Sequence, residues 1–215
     1  MDKIVDMVSL SVVNITKNSE DCIGDVVRNA LQIGDEIIVV DTGSRDNTRE
    51  IASQAGAKVV QFEGSFDYSK PRNLGMEHAT GEWILQLDTD ERINPEARRR
   101  IRTQIGTTKS DLVLVPQIRD NYSPGNGIMI QPRLIRKGRA GFEGKVFEWT
   151  YPLRKATYAH FYLQHSQTES EESKDKLRKK LANRELDGIY YSLTRPITSP
   201  AEYEQLFSRL RMLVT

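Results

Sequence analysis

Two carboxylates spaced one residue apart, Asp88 and Asp90, close an apolar run of strand length, Trp83-Ile84-Leu85-Gln86-Leu87, and Glu91 follows at once. In an extended chain, side chains two residues apart point the same way, so this spacing aims both aspartates at one place. Two hard anionic ligands at the carboxyl end of a buried strand suit Mg²⁺ or Mn²⁺, and such an ion neutralises a diphosphate. A third carboxylate, Asp41, ends a second apolar run over residues 36–40. The plainer alternative for all three is a turn or cap, because aspartate readily bonds the backbone of the residues that follow it.

These carboxylates meet only if parallel strands bring them to one edge. Residues 7–14 read as a first strand, with Val8, Leu10, Val12 and Val13. Asn18 or Ser19 can cap a helix running to about residue 32, with Ile23, Val26, Val27, Ala30 and Leu31 at helical spacing. Residues 36–40 are almost wholly apolar, as in a strand buried on both faces. Beyond a turn-forming stretch, a helix over 49–55 starts from Asp46 or Asn47, and residues 58–62 form a third strand.

Pro71 falls in the first turn of a helix ending at His78, and Asn94-Pro95-Glu96 opens another that runs to residue 105. Strands are expected at 111–118, 128–136 and 156–163, with Pro132 predicting an edge or a break in the second. Alternating strands and helices with short links imply right-handed crossovers and a doubly wound α/β sheet. Such sheets bind ligands at the carboxyl ends of their strands.

Among 215 residues, Lys plus Arg number 31 and Asp plus Glu 30, a balance unlike the basic excess of a general nucleic-acid binder. The single cysteine, Cys22, cannot form an internal disulfide, which fits a reducing compartment. No run approaches the roughly 18 apolar residues of a membrane span, and the first ten residues lack the pattern of a signal peptide. The expected location is cytoplasmic, with peripheral membrane attachment left open. The arginines at 98, 99, 100 and 102 read as a solvated helix face. After Thr168 the chain becomes highly charged, and Ser199-Pro200-Ala201-Glu202 is a capping box for a last helix with Leu206, Phe207, Leu210 and Leu213 along one face. The expected division is a domain at 1–165, with a nucleotide half to about 95 and an acceptor half beyond it, and a helical extension at 166–215. The apolar stripe of that extension would pack on the domain or serve a homodimer.

Together, Val39-Val40-Asp41-Thr42-Gly43-Ser44, Asp46-Asn47-Thr48, Lys70-Pro71-Arg72-Asn73 and residues 83–91 resemble glycosyltransferase family 2, in that family's order and spacing. The resemblance implies a GT-A fold, a Rossmann-like, mainly parallel sheet flanked by helices. It also implies transfer of a sugar from a nucleotide-diphosphate donor, most commonly a UDP-sugar, with Mn²⁺ or Mg²⁺ and usually with inversion. Carried over by position, Asp41 would contact the base or ribose, and Arg72 the base or diphosphate. Asp88 would face the ribose or the metal's shell, and Asp90 would hold the metal. The wider nucleotide-contacting set it implies adds Asn14, Gly43, Ser44, Lys70, Asn73 and Thr89. Arg133-Leu134-Ile135-Arg136 also fits, but Gly144-Lys145-Val146-Phe147-Glu148 has phenylalanine where the family carries histidine. His160 is the expected substitute metal ligand. Glu148 is the expected general base, with Glu91 and Glu143 behind it. The acceptor, whether glycan, lipid-linked, protein or other, has no signature here. Two alternatives stand beside this reading: a nucleotide-sugar-binding protein without turnover, and a nucleotidyltransferase. The latter lacks its glycine-rich loop, since residues 14–20 contain no glycine.

Overall fold

The computed structural model describes residues 8–64, 67–119, 129–144, 149–151 and 156–165. The chain opens with β1 (Leu10–Thr16), α1 (Ile23–Ala30), β2 (Glu36–Asp41), α2 (Thr48–Gln54), β3 (Lys58–Gln61), α3 (Ser69–His78) and β4 (Trp83–Gln86). There follow β5 (Glu91–Arg92), α4 (Pro95–Thr107), β6 (Leu112–Arg119), β7 (Met129–Arg136), β8 (Gly141–Glu143), β9 (Trp149–Tyr151), β10 (Ala156–Tyr158) and β11 (Leu163–His165). One sheet runs β3-β2-β1-β4-β7-β6-β11-β5, with β10 also paired to β6, while β8 and β9 form a separate antiparallel pair. The first four strands of that order are parallel. β7 is antiparallel to both of its neighbours.

Continuous apolar runs become two-faced strands here. Val12, Val39 and Leu85 join one cluster with Ile23 and Val27 of α1 and Ala97, Ile101 and Ile105 of α4. Val13, Ile38, Val40 and Ile84 point the other way, into a second cluster with Met76 of α3 and Phe142 of β8. Alternation along each strand therefore serves both faces, as a helix-covered parallel sheet requires. α3 lies so close that a Cβ on Gly75 would stand 2.3 Å from Val13 Cγ1 and 3.0 Å from Val40 Cγ2.

Several local expectations are corrected. α1 is not capped by Asn18 or Ser19: Cys22 holds the N-cap position without a side-chain bond. Asn18 instead sits at φ +48, and its Oδ1 accepts from the Arg45 N–H, tying the loops after β1 and β2 together. At α2 the capping work falls to Asp46, whose Oδ1 accepts from the Thr48 N–H and hydroxyl. α4 starts as expected, with the Asn94 side chain accepting from the Ala97 N–H and Pro95 in the first turn. Arg102 is no bystander on its solvent face, since it donates to the Val8 carbonyl and to Asp35 at 2.8 Å each.

Pro132 lies in an interior strand and not at an edge, and it marks the other outcome expected of it, a break. Pairing of β4 with β7 spans only Leu134 to Arg136, so Pro132 lies past β4, and on its other side the β6 register shifts between Val113 and Leu114. The missing N–H is thus spared a ladder position. The strand expected at 156–163 is two short strands, β10 and β11, both on β6. No helix among the described residues is long and apolar enough to cross a membrane. The expected helices beyond residue 166, and Phe147 and Glu148, lie outside the described residues.

Because α3 rests on β1 and β2 at Gly75, Gly75→Ala should destabilise the protein by about 1–3 kcal/mol through overpacking, read as a lower denaturant midpoint at an unchanged slope.

Candidate active site

The carboxyl ends of β1, β2 and β4 adjoin, with Thr16 in register with Asp41 and β4 on the other side of β1. After β4 the chain does not stay extended. The Glu91 N–H donates to the Asp88 carbonyl at 3.0 Å, so residues 88–91 form a turn. Asp88 and Asp90 are therefore presented by a bend, Asp90 exposed on its outside, Asp88 half-buried and Glu91 buried inside. Asn14 secures the approach to the turn, donating from Nδ2 to the Leu87 carbonyl at 2.6 Å.

A buried charge cluster braces the turn. Arg72 on α3 donates from Nη2 to Asp88 Oδ1 at 2.8 Å, and Arg133 on β7 donates from Nη2 to Asp88 Oδ2 at 2.6 Å. The same Arg133 nitrogen reaches Glu91 Oε1 at 2.6 Å. Glu91 also accepts from Gln117 Nε2 on β6 and, through Oε2, from the Asp88 N–H at 2.8 Å. Arg72 lies 5.6 Å from the centre of the Phe142 ring and 3.4 Å from Gln86 Oε1.

Burial acts to raise the Asp88 carboxyl, but the charges of Arg133 and then Arg72 outweigh it and hold that group well below the usual carboxylate range. Glu91 goes the other way. Burial pushes it up to about 7, with Asp88 and Asp90 adding to the shift and the charge of Arg133 opposing it. Burial would lower Arg133, yet Asp88 and Glu91 raise it, so it remains a fixed cation.

Of the two roles weighed for Asp41, the structure shows the turn. Its Oδ1 accepts from the Gly43 and Ser44 N–H groups at 3.2 and 3.0 Å, closing a turn that Gly43 permits with φ +96. Its Oδ2 is buried with no partner. Asn14 Oδ1 and Thr16 Oγ1, two residues apart on β1 and hence on one face, are likewise buried without partners. Unpaired buried acceptors cost about 1–3 kcal/mol each, so these three at one sheet edge are candidates to receive a ligand's donors.

Not every expected site residue faces this place. Asn73 uses both amide atoms to clamp the Phe142 backbone, at 2.8 and 2.7 Å, and so anchors β8 to α3. The Ser44 hydroxyl accepts from the Asn18 N–H at 2.8 Å. The Thr89 carbonyl accepts from Arg92 at 2.8 Å, and Lys70 is exposed, 3.6 Å from Asp67. Glu91, fully buried with both oxygens engaged, cannot touch an acceptor and leaves the set of candidate bases. His160 does not complete a metal site with the aspartates: among the described residues no group of three His, Cys, Asp or Glu could hold an ion, and the His160 N–H bonds Gln104 Oε1 on α4. Glu148 lies outside the described residues, and Glu143 is exposed on β8.

Arg133, Gln117, Gln86 and Phe142 were not expected in the site. For Arg133, Gln117 and Gln86 the sequence signal is a polar or cationic side chain inside an otherwise apolar strand, to which Arg133 adds its place in the family-like Arg133-Leu134-Ile135-Arg136; Phe142 carries no such signal.

The Glycosyl transferase family 2 profile matches residues 11–167. The chain belongs to this family. A TPR repeat-containing protein of Synechococcus elongatus is 38% identical over 99 residues, covering 46% of this chain and 25% of that protein. An uncharacterized glycosyltransferase of Rickettsia typhi is 32% identical over 113 residues, covering 53% of this chain and 38% of that one. The poly(ribitol-phosphate) beta-N-acetylglucosaminyltransferase TarS of Staphylococcus aureus is 34% identical over 120 residues, 51% of this chain and 21% of TarS. The match thus spans well under half the length of these relatives. The crystal structure of TarS 1–349 with UDP-GlcNAc superposes with a TM-score of 0.60 at 19% identity, over 94% of this chain and 71% of that one. The shared architecture is the α/β GT-A fold of family 2 enzymes.

Among the described residues no group of three His, Cys, Asp or Glu side chains could hold a metal ion by itself. An Mg²⁺ or Mn²⁺ bound through a nucleotide needs only one or two carboxylates, the rest being phosphate oxygens and water. Asp90, with Asp88 beside it, fits that second kind of site.

Removing Arg133 should be costly, because Asp88 and Glu91 would then share a buried turn without a cation between them. Arg133→Met is expected to lose about 3–5 kcal/mol in denaturant unfolding. The depressed Asp88 carboxyl contributes stability that is complete above about pH 4 and lost as pH falls below it. The stability gap between the native protein and Asp88→Asn should therefore be wide at neutral pH and shrink in acid, as urea titrations across that range would show.

Proposed function

We propose that this chain is the catalytic domain of a glycosyltransferase that moves a sugar from a UDP-sugar to an acceptor hydroxyl, aided by Mg²⁺ or Mn²⁺ and with inversion. The observation that carries the reading is the pairing of three unpartnered buried acceptors, on Asn14, Thr16 and Asp41, with an arginine-braced aspartate turn at the same sheet edge. The first group offers acceptors to the N–H and O–H donors of a base and ribose. The second offers carboxylates to a cation and, through Arg72, positive charge to a diphosphate. The names of the glycosyltransferase relatives, TarS among them, support the class of reaction.

As the glycosidic bond breaks, negative charge grows on the departing diphosphate, and donors fixed in advance stabilise it without reorganising. Arg72, held by Asp88 and backed by the Phe142 ring, is such a donor. A divalent cation at Asp90 would supply further charge stabilisation when bound. Asp41 and Asn14 orient the nucleoside. Proton removal from the acceptor falls to Glu148, which directly precedes β9, the partner of the β8 strand that Asn73 pins to α3.

Calorimetric titration of UDP, GDP and dTDP, with Mn²⁺ present or chelated, tests the donor site. Binding of UDP with Mn²⁺, abolished by chelator and by Asp90→Ala, is the expected result, and no binding of any nucleotide would refute the reading. Glu148→Gln should leave UDP affinity intact while lowering transfer, or donor hydrolysis, by about 10²–10⁴-fold. A native protein that binds UDP-sugar yet never hydrolyses it above background would instead be a binder without turnover.

A further inference from the structure

We propose that Glu91 is a positioning residue of the donor site, acting through Arg133 to fix Asp88 and, beyond it, Arg72. The inference rests on the donor-site reading above and concerns a carboxylate to which that reading gives no chemical task. The contacts form one chain: Glu91 Oε1 to Arg133 Nη2 at 2.6 Å, the same Nη2 to Asp88 Oδ2 at 2.6 Å, and Asp88 Oδ1 to Arg72 Nη2 at 2.8 Å. Exposure rises along it, from 0% at the Glu91 side chain and 4% at Arg133 to 28% at Asp88. A wholly buried group thus ends, through two ion pairs, at an aspartate that solvent and ligand reach.

One guanidinium nitrogen shared by two carboxylates is a constrained arrangement. An arginine facing a single carboxylate prefers two parallel hydrogen bonds to both of its oxygens. With Glu91 in place, Arg133 is drawn to one Asp88 oxygen only, and the other is left to Arg72. If Glu91 is withdrawn, Arg133 can swing onto both oxygens and displace Arg72 from Asp88; Arg72 also touches the ring of Phe142 at 5.6 Å and Gln86 at 3.4 Å. Gln117 and the Asp88 N–H hold Glu91 itself, so its aim is set by β6 and by the turn it supports. An ion pair this deeply buried is weak evidence for stability, because apolar side chains of like size often serve a core as well. Its place directly beneath the aspartate turn gives it a use that packing alone lacks.

Glu91→Asp keeps the charge and draws the carboxylate back by one methylene, and two readouts at mildly alkaline pH follow its effect. In the ligand-free protein, ¹⁵N spectra of the arginine side chains report slowed rotation of an ion-paired guanidinium. The signals of both Arg72 and Arg133 should be resolved in the native protein; in the variant those of Arg72 should collapse, while those of Arg133, now on both Asp88 oxygens, should persist. With UDP and Mn²⁺, the dissociation constant should rise about tenfold or more, the usual effect of losing a partner that orients a ligand-holding group. Unchanged Arg72 signals, or an unchanged dissociation constant where the native protein binds UDP, would overturn the proposal. Should the native protein bind no UDP, the donor reading fails, and the Arg72 signals alone then decide whether Glu91 positions that arginine. If Glu91→Asp does not fold, Glu91→Gln, equal in size and uncharged, carries the same two readouts.

Discussion

Asp88 is held from two sides by buried or nearly buried guanidinium groups, and much of the site depends on that pairing. Two cations inside a protein repel each other and resist losing their water, so they persist only where carboxylates stand between them. Here Asp88 stands between Arg72 and Arg133, and Glu91 takes the remaining attraction of Arg133. The turn at 88–91 is shaped to permit this. Its bend turns Glu91 inward under the residue whose carbonyl accepts from the Glu91 N–H. The cluster also joins the two halves of the sheet, since Arg72 comes from α3 beside the parallel strands and Arg133 and Gln117 from β7 and β6 beyond them.

Parallel pairing explains why the carboxylates and the unpartnered acceptors lie together. β1 sits between β2 and β4, so anything at its carboxyl end has neighbours from both. Helices on both faces leave the strand ends as the open approach to polar groups, in keeping with the general placement of ligands on such sheets. Two side-chain clamps hold the surrounding segments. Asn73 grips the Phe142 backbone from α3, and Asn29 grips Ile93 through both of its amide atoms from α1.

A good deal of this was legible beforehand. Periodicity placed α3 and α4 to within about two residues, because Pro71, Asn94 and Pro95 act through local backbone chemistry that tertiary contacts reinforce. Where caps were misjudged, at Asn18, the side chain had found a partner on another loop, which propensity does not report. Of the edge or break that Pro132 predicts, the structure has the break: the β6 register shifts opposite it, and only the tertiary pairing shows that β4 stops short of it.

The sequence by itself determined the alternation of strands and helices, the delivery of Asp41, Asp88 and Asp90 to strand ends, and the family pattern they belong to. Those properties follow from short-range periodicity and from the order of motifs along one chain. Tertiary structure alone decided that Asn73 is a clamp, that Glu91 faces inward, that His160 sits along α4, and that Arg133 completes the aspartate cluster. Each of these depends on which side chain from a distant segment reaches a given atom. Arg133 and Asp88 are 45 residues apart, and nothing local to either one specifies the other.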